Sequence, residues 1–77
     1  MFYEIQPGNH INLTSINYFC LSDNEIYRNS ILIYFQGKKD FISFRFNDPW
    51  SCKQAYDKLV AKIYSMNNPS HINVIMD

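Results

Sequence analysis

Apolar and polar positions alternate over FISFRF (41–46), with Ile42, Phe44 and Phe46 on one side and Phe41, Ser43 and Arg45 on the other. A period of two is that of a strand with one face in a core and the other half wet. SILIYFQ (30–36) differs: Ile31, Ile33 and Phe35 alternate with Leu32 and Tyr34, so both faces are apolar. This predicts a central strand covered on both sides, or covered on one side and self-associating on the other. Between them, Gly37-Lys38-Lys39-Asp40 reads as a hairpin loop in which Gly37 can take a positive φ. FYEIQ (2–6) is a short strand stopped by Pro7-Gly8-Asn9, and INYFCL (16–21) is a second, entered after a bend at Thr14-Ser15 and left through the polar turn SDNE (22–25). HINVIM (71–76) reads as a short closing strand.

The pattern changes period after Asp48. Cys52, Tyr56, Leu59, Ile63 and Met66 are spaced by fours and threes, and Ala55 and Val60 widen the stripe, while Lys53, Asp57, Lys58, Lys62 and Ser65 fall outside it. Asp48 suits an N-cap, Pro49 suits the first helical position, and Asn67-Asn68-Pro69 ends the helix. The expected fold is α+β in a single domain over 1–77: a small antiparallel β-meander of four to five strands, one helix in the C-terminal half packed on one face, and the short closing strand. Tyr56, Leu59, Val60 and Ile63 are the expected contacts of that helix with the sheet.

Composition narrows the chemistry more than it suggests any. Seven basic residues balance seven acidic ones among 77, so no global field draws in nucleic acid or a membrane surface. Neutrality also favours association between copies. Aromatic content is high, at 17%, which supplies apolar area that a chain this short needs. No apolar run approaches the length that spans a bilayer. MFYEIQPGNH has neither the charged region nor the apolar region of a secretory signal, so a cytoplasmic location is expected, with Cys20 and Cys52 reduced and acting as small buried hydrophobes. Asn12-Leu13-Thr14 would be a glycosylation site only in a secreted chain.

His10, His71, Cys20 and Cys52 are the soft ligands, and none pairs at a metal-ligand spacing. No Gly-rich elbow or phosphate-cradling loop accompanies the cysteines, and Cys52 sits on the apolar stripe of the helix. The carboxylates are scattered, with no close pair for acid–base work. The expectation is a protein that is not an enzyme and takes no cofactor and no metal.

The basic hairpin is the remaining candidate. In KDFISFRF the lysine and the first and last Phe resemble the aromatic strand of an RNA-recognition motif, but Asp40 stands where that motif has a small residue and Ser43 where it has an aromatic. That fold also has two helices, and this pattern gives one. Lys38, Lys39 and Arg45 are the possible nucleic-acid contacts, and a weak single-strand binder is the alternative function. The favoured expectation is a protein-binding module that self-associates, most simply as a homodimer, or caps a larger protein. Its interface would be the outward set Leu32, Tyr34, Phe41 and Arg45, with Trp50 as a lid over the sheet edge or a second anchor. In size and in lacking catalytic motifs the chain resembles, as a class, the small accessory proteins of phages and mobile elements, including inhibitors of host defence nucleases.

Overall fold

The structure, a computed structural model, describes residues 1–22 and 24–67. The expected closing strand at 71–76 lies outside the described residues. The described chain is α+β, as expected, with five antiparallel strands and one α-helix. The strands form two sheets rather than one. β1 (Phe2–Gln6) pairs with β2 (Asn9–Asn12), and β3 (Ile16–Ser22), β4 (Ser30–Phe35) and β5 (Ile42–Arg45) form a separate sheet in the order β3-β4-β5.

Asn12 is where the single meander breaks. Its Oδ1 accepts the Thr14 N–H at 3.2 Å and the Thr14 hydroxyl at 2.8 Å, which winds Leu13–Ser15 into one 3-10 turn. A short polar side chain that bonds backbone two residues on competes with the ladder, so β2 cannot run straight into β3. Gly8, at φ +81°, turns the β1–β2 hairpin, and its N–H is held by Glu4 Oε2 at 2.9 Å. Gly37, at φ +80°, makes the corresponding turn out of β4.

The helix α1 (Pro49–Asn67) starts where Asp48 caps it, its Oδ1 accepting the Ser51 N–H at 2.7 Å. It lies over β3 and β4. One core joins all three parts: Ile5, Ile11 and Leu13 from the first hairpin, Ile31 and Ile33 from β4, and Cys52 and Leu59 from α1. Tyr56, Ile63 and Met66 pack at its margin, so the stripe expected from the sequence is the face that is buried.

Two expected core positions are not in it. Val60 is 41% exposed, standing about 100° round the helix from the fully buried Leu59. Ile42 is 50% exposed although it pairs with the fully buried Ile33. It sits on the edge strand β5, beyond the two strands that the helix covers. Phe44 and Phe46 do pack against the core.

Candidate interaction surface

Residues paired across an antiparallel ladder share a face. Ile31, Ile33, Phe44 and Phe19 therefore face the helix, and Leu32, Tyr34, Cys20, Tyr18, Ser43 and Arg45 face the other way. The outward face is not bare. Four rings run across it in a row: Tyr18 to Tyr34 at 5.6 Å between centroids, Tyr34 to Phe41 at 5.5 Å, and Phe41 to Tyr27 at 5.0 Å. Tyr27 comes from the turn before β4 and Phe41 from the loop after it. Leu32, on the same face, is only 8% exposed. The chain covers the second apolar face of β4 mostly with its own side chains.

The structure brings together Leu32, Tyr34 and Phe41 from the expected interface, but Leu32 is buried and Tyr34 and Phe41 are half-buried. Arg45 is exposed on the same face, opposite Ser30 at the far end of the hairpin. Trp50 belongs elsewhere: it is in the first turn of α1, on the other side of the sheet, and is 68% exposed. It is mostly exposed there and does not lie on the face that carries Leu32 and Tyr34. The helix stripe passes through Cys52 and Leu59, and Trp50 is turned away from it.

Lys38 and Lys39 are exposed in the β4–β5 loop, whereas Arg45 ends β5. The run from Ile42 to Arg45 alone is about 10 Å of strand. The two lysines and Arg45 thus stand at opposite ends of β5. The rings do not make a stacking platform, since their planes meet at 43°, 61° and 83° and each packs on its neighbour.

Tyr18, Cys20 and Tyr27 were not expected to matter. Alternation in INYFCLS puts Tyr18 and Cys20 on one face, which was a readable signal, but Tyr27 lies in a turn with no period to place it. Tyr18 is 58% exposed, and its phenol is raised above its ordinary value by the neighbouring Cys20 side chain first and by desolvation second. Cys20 is a half-buried free thiol. Cys52 is buried and free, and desolvation raises its thiol. Among the described residues no group of three or more His, Cys, Asp or Glu side chains is placed to hold a metal, and no helix is long and apolar enough to cross a membrane.

Among the described residues β3 is the longest strand, seven residues, and an edge of its sheet. It carries no charged residue and no proline, the usual devices that protect an edge. The border of this edge carries an apolar side chain on each side of the sheet, with Arg28 and Lys53 lining the groove beside the one on the helix face. Tyr18 stands on the outward face and Leu21, 39% exposed, on the helix face. Tyr56 of the helix packs its ring on Phe19 of β3 at 5.5 Å. Two open grooves, of about 520 and 530 Å³, run along the seam between α1 and β3. One is lined by Ile16, Phe19, Ile63 and Met66, the other by Leu21, Arg28, Pro49 and Cys52. The opposite edge is guarded: β5 has four residues, includes Arg45, and has the Arg45 carbonyl capped by the Gln6 side-chain amide of β1.

No protein-family model, no curated protein and no solved structure matches this chain.

Proposed function

We propose that this protein is a non-enzymatic protein-binding module that associates with a second copy of itself through the border of β3. The observation that carries this reading is the contrast between the two edges. One is short, charged and capped, and the other is long, without a charged residue in the strand, and carries exposed Tyr18 and Leu21. A long edge without charge in the strand is a template for another strand, and a net charge of zero leaves no overall repulsion between copies. The outward ring row supports this as a rigid margin, with Tyr18 as its open end.

Sedimentation equilibrium at tens of micromolar tests the reading. The expected result is a homodimer that dissociates when Tyr18→Lys places a charge at the border, with the circular dichroism spectrum unchanged. A monomer at that concentration refutes self-association.

A further inference from the structure

Which backbone groups of β3 face outward follows from the ladder. The Phe46 N–H donates to the Asn29 carbonyl at 2.8 Å, so Asn29 and Phe46 are a hydrogen-bonded pair of the β4–β5 ladder. Hydrogen-bonded and non-hydrogen-bonded pairs alternate in antiparallel sheets, and a residue turns its N–H and C=O to the same side. Ile31 and Ile33 therefore point their backbone groups at β5, and Ser30, Leu32 and Tyr34 point theirs at β3. The Gln36 N–H donating to the Ser15 carbonyl at 2.8 Å fits the same parity. Across the ladder, the partners Ser22, Cys20 and Tyr18 turn inward to β4. That leaves Phe19 and Leu21 with N–H and C=O aimed out of the sheet, and neither has a hydrogen-bond partner among the described residues.

Two outward residues with one between them define a self-complementary edge. We infer that two copies pair β3 to β3 in antiparallel register about a two-fold axis at Cys20, forming a continuous six-stranded sheet. This rests on the proposed self-association and specifies its geometry. In this register Phe19 of one copy meets Leu21 of the other, and Leu21 meets Phe19. All four outward N–H groups find carbonyls. Cys20 faces its own counterpart as a non-hydrogen-bonded pair, the type in which Cα atoms come within about 4.5 Å. That lies inside the range a disulfide can bridge. Each Tyr18 comes opposite Ser22 of the other copy, so the two ring rows meet end to end across the joined sheet. On the outward face the side chains at the seam (Tyr18, Cys20, Ser22) carry no charge, and on the helix face Arg28 and Lys53 line the groove beside Leu21.

Cys20 reports this register directly. Diamide, which accepts the two hydrogens released when two thiols join, should convert the Cys52→Ser protein to a covalent dimer that dithiothreitol reverses. Cys20→Ser should abolish the product. Leu21→Pro removes one outward N–H without touching the β3–β4 ladder, a placement that edge strands tolerate. It should give a folded monomer by sedimentation and circular dichroism. If Leu21→Pro does not fold, cross-linking through Cys20 still decides. A dimer that survives Leu21→Pro and gives no Cys20 cross-link, yet dissociates with Tyr18→Lys, overturns the edge pairing and leaves the protein-binding reading standing. A wild-type monomer whose Leu21 amide is nonetheless protected from deuterium exchange puts another occupant on the edge and overturns both.

Discussion

Tyr27 and Phe41 meet edge to face, their centroids 5.0 Å apart and their planes at 83°, although one precedes β4 and the other follows it. This contact closes the outward side of the strand over which Leu32 lies buried. It makes β4 the centre of two apolar layers, one shared with the helix and one made of rings.

The ring layer should behave as a packed unit. A double-mutant cycle with Tyr27→Ala and Phe41→Ala is expected to give a coupling of about 0.5–1.5 kcal/mol, the range for edge-to-face pairs. Urea denaturation of the four proteins measures it. Because Tyr34 and Phe41 are half-buried, a charge at either should lower stability, whereas Tyr18→Lys should not. Strict additivity of the two alanine variants would mean the rings do not support each other.

On the helix, Leu59 and Val60 are neighbours with opposite environments. Leu59 is fully buried in the core, so Leu59→Ala should cost about 2–5 kcal/mol. Val60→Ala should stay within about 0.5 kcal/mol in the monomer, as exposed substitutions do. Chemical-denaturation midpoints of both proteins, taken below the concentration at which copies associate, check the pair. Equal losses would contradict the helix orientation.

The two thiols should differ in reactivity and in their link to pH. Cys20 should react with a thiol reagent in the native protein, and Cys52 only after unfolding. Desolvation raises the Cys52 thiol above its ordinary 9.0, so the folded state holds that proton more tightly than the unfolded chain. The associated stability is fully present below about pH 9 and is lost as pH rises through the folded value. Urea midpoints measured across that range should fall, and Cys52→Ala should flatten the fall while lowering stability at neutral pH. An equally steep decline in Cys52→Ala would assign it to other groups.

Single-stranded oligonucleotides should show no measurable binding at physiological salt. Lys38 and Lys39 are separated from Arg45 by the length of β5, and the rings pack on one another instead of lying flat. Fluorescence anisotropy with labelled DNA and RNA is sufficient. Micromolar affinity that weakens with Lys38→Ala and Lys39→Ala, with a shallower salt dependence, would restore the nucleic-acid reading.

Local pattern was enough to place most elements. Alternation located β4 and β5, turn chemistry bounded β1 and β3 while β2 went unread, and the Asp48-Pro49 start with the Cys52–Met66 stripe located the helix and its buried face. These are consequences of backbone period and capping, which act within a few residues. The same reasoning saw that both faces of β4 are apolar and needed cover. It could not say what covers them: Phe41 belongs to the alternating stretch 41–46, but Tyr27, which packs on it, lies in a turn with no period to place it. Tertiary structure alone decided three further points. Asn12 turned a continuous meander into two sheets by a side-chain hydrogen bond that no hydrophobic pattern records. The helix settled over β3 and β4, which left Ile42 uncovered despite its alternation. The order β3-β4-β5 made β3 an edge and, through the parity of the ladder, turned the backbone of Phe19 and Leu21 outward. Sequence determines which residues want burial. Strand order, which depends on contacts distant along the chain, determines which backbone groups are left to bond with something else.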